Sequence, residues 1–215
     1  MATTTGNRSQ QIVAQATNLF AKHGYAGTSI RRIARACGIT EAAIYRHFDS
    51  KLHLYEEVIR AKAAQHDIAG YLAKQVGRGT IRDALIAVSS HIMQLTREDP
   101  TLVRLMFNNS LESGNVPTVL FQEIRMPYIN FLTREFERRM DEDEIVPVRA
   151  FLTGRCFVGM VLDCALNLGT WETLFPNRSQ PIDIYSNTAA IFANGLLKTR
   201  DSALDNALSQ PGSST

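Results

Sequence analysis

Residues 38–51 read GITEAAIYRHFDSK, and the reading of this stretch decides the fold. Gly38 can take the left-handed conformation that ends one helix and turns the chain sharply. Ile39, Thr40 and Ile44 then fall at N′, N-cap and N4 of the next helix, a threonine cap inside a hydrophobic staple. Asp49-Ser50-Lys51 is a second helix start directly after it. The spacing predicts a short helix over 41–48 and a longer one from Ser50 or Lys51, with Leu52, Tyr55 and Ile59 on its inner side.

Toward the N-terminus, a helix is predicted over 10–23. Ile12, Ala16, Leu19 and Phe20 share a face there, and Gly24 suits the residue after the helix. Thr28 or Ser29 caps a short helix through Ala36, with Ile30, Ile33 and Ala34 turned inward. Two short helices joined by a glycine turn form either a plain αα-hairpin or a helix-turn-helix, whose second helix enters the DNA major groove. The cations favour the second. Arg31 and Arg32 sit in the first turn of their helix, where the dipole disfavours positive charge, and Tyr45, His47 and Lys51 add donors after the reading helix. At the start of that helix, Ala42 and Ala43 permit close approach and contact with thymine methyls, while Glu41 can accept from cytosine N4. Residues 1–62 hold nine cations against four anions, a net +5, and the remaining 14 cations and 17 anions leave −3. A basic head on a mildly acidic body points to an anionic partner for the head.

Downstream the periodicity stays helical. Helices are predicted over 80–96, 101–109, 118–140, 148–168 and 182–198. Pro100, Pro117, Pro147, Pro176 and Pro181 stand at the breaks, and Pro127 predicts a kink inside one helix. The fold class is all-α, with about nine helices. A DNA-binding domain is expected at 8–54 and a larger helical domain at 55–200. The tails 1–7 and 201–215 have the composition of disordered segments.

LFAKHGYAGTSIRRIARACGITEAAIYRHFDSKLHL, residues 19–54, resembles the N-terminal domain of TetR-family transcriptional regulators. The resemblance rests on Gly24-Tyr25, Thr28-Ser29-Ile30, Ile33-Ala34, Gly38-Ile39, Ile44-Tyr45, His47-Phe48 and Ser50-Lys51. It implies a TetR-like fold and a sequence-specific, ligand-responsive repressor that binds a near-palindromic operator in double-stranded DNA as a homodimer. By position it implies phosphate contacts from Thr28, Tyr45, His47 and Lys51, and base-facing positions at Arg31, Glu41, Ala42 and Ala43. Ser29, Arg32 and Thr40 complete the expected DNA-facing set. Alanine at 42 or 43 replaces a frequent glycine of the family.

The resemblance also implies dimerisation through the last two long helices and an effector cavity in the body. Independently, 148–168 is apolar almost all round, with Gly154, Gly159 and Ala165 permitting close helix approach; 182–198 adds Ala189, Ala190, Ala193 and Gly195. At about 100° per residue, Cys156, Met160, Asp163 and Asn167 share a stripe about 60° wide. Asp163 is costly to bury unpaired. One reading is a structural ion pair, with Arg155 or across a dimer. The other is a cavity lined by this stripe with Met106, Phe107, Phe121, Tyr128 and Trp171, taking a small, largely apolar effector with one hydrogen-bonding or cationic group.

Motifs of catalysis are missing: there is no GxSxG, HExxH or Walker loop, and none of the five histidines has another three or four residues away. No enzyme activity, metal or cofactor is expected. Cys37, Cys156 and Cys164 read as small buried hydrophobes in a reducing compartment. With no apolar signal core, and no uncharged run of the roughly 18 residues that a span needs, a cytoplasmic protein without membrane association is expected. The competing reading is a DNA-binding helical protein without an effector, architectural or partner-binding.

Overall fold

The computed structural model describes residues 3–111, 118–175 and 180–198, and along them ten α-helices and one π-helical segment follow one another. These are α1 Thr3–His23, α2 Ile30–Ala36, α3 Glu41–Tyr45, α4 Lys51–His66, α5 Ile68–Ala73, α6 Ile81–Glu98, α7 Pro100–Leu111, the π segment Phe121–Arg125, α8 Met126–Asp141, α9 Ala150–Leu174 and α10 Pro181–Leu196. Among the described residues there is no strand, only an isolated bridge between Ile145 and Leu197.

The predicted helices form, with shifted ends. α1 starts at Thr3, so residues 3–7 continue the helix rather than a disordered tail; the expected tail at 201–215 lies outside the described residues. α3 ends at Tyr45, although Phe48 still bonds back to Ile44 O. In α4 the inward side is Leu54, Tyr55, Val58 and Ile59, and Leu52 is exposed, which corrects the predicted face. Asp67, with φ +40°, ends α4 and caps the unpredicted α5 by accepting from Gly70 N at 3.2 Å. The predicted kink at Pro127 becomes the π segment just before it: proline has no amide to return to Glu123 O, so the ladder loosens there.

α6 is the body's central strut, packed against α7, α8, α9 and α10. α1 packs on α4 and α7, and α4 runs unbroken through the expected domain junction at 54–55. Asn108 on α7 donates to Ala21 O at 2.9 Å, fastening the body to the end of α1. Asp99 clamps the far end of α4. Its Oδ2 lies 2.9 Å from Lys62 Nζ and 3.0 Å from His66 Nε2, while its Oδ1 accepts from Thr101 N and Leu102 N at the start of α7. Burial pushes the Asp99 carboxyl up, but Lys62, the Leu102 amide and His66 together hold its pKa below the usual value. A depressed folded pKa means stabilisation that is complete above the unfolded carboxylate pKa, about 4, and lost as pH falls through the folded value. Acid titration of Asp99→Asn should therefore show a shallower loss of stability below about pH 4 than the wild type. Equal slopes would remove Asp99 from the acid transition.

A second ionic cluster lies deeper. Arg139 is fully buried and ion-paired to Glu135, which is 2% exposed. Glu135 also accepts from Gly77 N at 3.0 Å, and Arg139 donates to Gly79 O at 3.1 Å. Arg139 Nε lies 3.3 Å from Glu144. α8 thereby holds the turn before α6, where Gly77 and Gly79 take φ of +66° and +59°.

α9 is two-faced. Gly154, Phe157, Val158, Val161, Leu162 and Ala165 are buried, and a Cβ on Gly154 would stand 3.3 Å from Leu132 Cβ on α8. The opposite face exposes Leu152, Cys156, Gly159, Met160 and Asp163. By length and composition alone, α9 is apolar enough to cross a membrane. As folded, it supplies one wall of the helical core.

A candidate nucleic-acid interface

Local bonding builds the helix-turn-helix. Ser29 accepts from Arg32 N at 3.2 Å and caps α2. α2 closes in a Schellman turn: Ile39 N donates to Ala34 O at 3.0 Å and Gly38 N to Arg35 O at 3.2 Å, with Gly38 at φ +65°. Thr40 caps α3 through Ala43 N at 3.2 Å, and Ser50 caps α4 through His53 N at 3.0 Å. Ile33, Ile44 and Phe48 are buried in the same core as Phe20 and Tyr55, whose rings meet edge to face, and so pin α2 and α3 to the fold. Each fully buried aliphatic contributes about 1.5–3 kcal/mol to that pinning.

The opposite face is what a groove would meet. Glu41 and Ala42 are exposed, Ala43 half-buried, Tyr45 50% exposed and His47 half-buried. Arg31 and Arg35, one turn apart on α2, and Arg46 after α3 are exposed, and among the described residues no ion pair engages them. Arg35 and Arg46 escaped the sequence reading, although their spacing from Arg31 and Tyr45 signals the shared face. Arg32 reaches back to Gly27 O at 3.4 Å. The His23 imidazole has a lowered pKa, first from partial burial and then from Arg32 and Lys22, a local sign of the positive field.

Two expected phosphate contacts have other work. Thr28 is 1% exposed, and its hydroxyl donates to Gly24 O at 2.9 Å and Leu19 O at 3.2 Å. Its side chain locks the turn between α1 and α2 and does not reach the surface, because the turn closes over it. Lys51 Nζ donates to Tyr25 O at 2.9 Å and sits 4.1 Å from the Tyr25 ring centroid, bracing α4 against the same turn. Gly27, unremarked in the sequence, belongs to that turn too. A Cβ there would stand 2.2 Å from the His23 backbone oxygen. Gly27→Ala is expected to destabilise the head by about 1–3 kcal/mol through overpacking, read as a loss of amide-exchange protection in α1 and α2. Unchanged protection would show that the turn relaxes freely.

The expected effector-pocket residues do not converge. Met106 and Tyr128 are buried in the core, with the Tyr128 hydroxyl 2.8 Å from His91 Nδ1. Phe107, Cys156, Met160, Asp163 and Trp171 are exposed, so the stripe on α9 faces away from the core because the opposite stripe packs on α8 and α6. Asp163 has no ion pair among the described residues, with Arg155 or otherwise, and accepts from Asn167 Nδ2 at 3.1 Å. The thiols likewise correct the expectation of three buried cysteines: Cys156 is exposed, and Cys37 and Cys164 are half-buried. Phe121 and Cys156 of the set line one cleft, of about 360 Å³, between the π segment, α8 and α9.

Residues 12–58 match the family profile described as bacterial regulatory proteins, tetR family. The chain is 26% identical over 156 residues to the HTH-type transcriptional repressor AcnR of Corynebacterium glutamicum, covering 62% of this chain and 82% of that protein. It is 40% identical over 50 residues to the negative transcriptional regulator IcaR of the Staphylococcus aureus biofilm operon icaADBC, 23% of this chain and 27% of the relative. In structure it is similar to the transcriptional regulator FadR of Bacillus subtilis, solved with stearoyl-CoA, at TM-score 0.68 and 18% identity over 86% of this chain and 98% of the other. It is also similar to AibR, solved with isovaleryl coenzyme A and operator DNA, at TM-score 0.61 and 21% identity over 86% and 98%. At those identities the structural likeness establishes the all-α fold.

Proposed function

We propose, from the premise that this chain belongs to the tetR family of bacterial regulatory proteins and is a DNA-binding transcription regulator, that it is a ligand-responsive repressor acting on a near-palindromic operator as a homodimer. The observation that carries this reading is the exposed face of α3, capped at Thr40 and flanked by Arg31, Arg35 and Arg46. Its head is the expected segment 8–54, with α4 as the shared helix that joins it to the body at 55–200.

Within the head, Glu41, Ala42 and Ala43 meet base edges; Arg31, which the resemblance sets at a base-facing position, instead joins Arg35, Tyr45, Arg46 and His47 in approaching phosphates. Ser29, Thr40, Thr28 and Lys51 act by fixing the turn and the caps. Repression is the activity named for AcnR and IcaR, and AibR was solved with isovaleryl coenzyme A and operator DNA together.

Dimerisation is supported by the apolar side chains that α9 and α10 leave outside the core: Leu152, Met160, Leu174 at 61% exposure and Ile191 at 62%. Cβ atoms on Gly159 and Gly195 would meet nothing within 4 Å, so a facing helix can approach there. A two-fold pair sets two reading heads about one or two DNA turns apart.

Selection of the full chain from a random duplex library tests the reading. The expected winner is an inverted repeat, bound by two copies with a steep negative salt slope. Enrichment of no sequence, with binding abolished by salt, would reduce the basic head to a non-specific anion surface.

A further inference from the structure

The π segment and α9 wall a cleft of about 360 Å³ lined by Phe121, Arg125, Ile129, Arg155, Cys156, Val158 and Gly159. Two guanidinium groups stand in its lining, and no carboxylate does. Arg125 is partly buried, with its guanidinium 5.9 Å from the Phe121 ring centroid. Among the described residues, it has neither a hydrogen bond nor an ion pair. Elsewhere in the chain, arginines that lose water gain a carboxylate: Arg139 has Glu135 and Glu144, and Arg138 has Glu135 and Glu142. Arginine cannot shed its charge when buried, so an unpaired guanidinium in a cleft is a cost that a bound anion would offset. Its planar fork matches a carboxylate or a phosphate. Phe121, Ile129 and Val158 supply an apolar wall beside it.

The backbone adds a second pointer. The π helix is a rare, costly geometry that recurs at functional sites, and here it sets Arg125 at its last residue. The neighbouring Glu123 pairs with Arg60 on α4 at 3.7 Å. α4 starts at the Ser50 cap, directly behind the reading helix. The π segment that walls the cleft and the reading helix thus both adjoin one continuous helix, α4.

We propose that this cleft binds an amphipathic anion, with a carboxylate or phosphate head on Arg125 and Arg155 and a short apolar chain along Phe121, Ile129 and Val158, and that occupancy is relayed to the reading head through Glu123, Arg60 and α4. The proposal rests on the regulator reading and gives its effector a charge opposite to the cationic group that Asp163 had implied. Differential affinity for the DNA-competent and DNA-incompetent states is what would make it a switch.

Calorimetric titration of the full chain with decanoate, decyl phosphate and decanol, each below its micelle concentration, tests the site without DNA. Decanoate or decyl phosphate should bind at least about tenfold more tightly than decanol, and whichever anion binds tighter identifies the head. Arg125→Gln with Arg155→Gln should bring both anions down to the decanol level, while Arg125→Lys should retain part of the preference. Equal binding of all three probes, or anion binding untouched by the double variant, would overturn the proposal. So would a double variant that merely dissociates the dimer in light scattering, which would assign the arginines to a partner's carboxylate. Operator affinity measured with the preferred anion should fall for the wild type and not for the double variant; unchanged operator affinity would overturn the relay. Because the titration uses no DNA, failure to select an operator would defeat the regulator reading alone.

Discussion

Arg139→Ala is expected to lower the unfolding free energy by about 3–5 kcal/mol, because it leaves Glu135 buried without its main counter-charge. At roughly 2–4 °C per kcal/mol for a chain of this size, the thermal midpoint should fall by about 6–20 °C. Burial pushes the Glu135 carboxyl up, while the Gly77 amide, Arg139 and Arg138 outweigh burial and hold its pKa below the ordinary value. In the wild type, that stabilisation is present above the unfolded carboxylate pKa and is lost as pH falls through the folded one. Without Arg139 the balance moves toward the protonated acid, so the penalty should be largest at neutral pH and shrink in acid. A pair of changes, Glu135→Gln with Arg139→Met, keeps an acceptor for Gly77 N and removes both charges. It should recover much of the loss, since a packed neutral pair commonly equals a buried ion pair. Denaturant unfolding at two pH values distinguishes these outcomes. A penalty below 1 kcal/mol, or one independent of pH, would mean that water reaches Glu135.

Arg31→Gln, Arg35→Gln and Arg46→Gln together should weaken operator binding by a few hundred-fold at 0.1 M salt and reduce the salt slope by about 2.7, counting about 0.9 per lost phosphate contact. The same variant should keep its thermal midpoint, because these side chains are exposed and have no ion pair among the described residues to lose. Fluorescence anisotropy across a salt series measures the affinity and the slope in one experiment. A large drop in affinity with an unchanged slope would place the arginines on base edges rather than phosphates. A drop in midpoint would mean that they hold the head together. Lys51→Ala separates the two roles further. Its ammonium is held by Tyr25, so its loss should loosen the α1–α2 turn more than it changes the salt slope.

The sequence by itself determined the helix-turn-helix. Thr40 caps the helix that it was expected to cap, and Ser29, rather than Thr28, and Ser50 cap the two helices whose starts were read to within one residue; each finds its partner three residues on. Gly38 takes the left-handed turn, and Ile39 bonds back five residues to Ala34. Such features are legible because every bonding partner is local, so residue type and spacing carry the whole of the geometry.

Periodicity also placed Cys156, Met160, Asp163 and Asn167 on one side of α9, but a period fixes which residues share a face and not where that face points. Packing against α6, α8 and α10 turned it outward. Thr28 stands in a recognised motif, yet its hydroxyl is used up inside the fold. Arg139 with Gly79, Asp99 with Lys62, and Asn108 with Ala21 join residues 37 to 87 positions apart. The unpaired Arg125 shows only as an absence of partners around a cleft. Only the tertiary structure decided these, because burial and the pairing of charge depend on what arrives from distant parts of the chain, and no local pattern encodes that arrival.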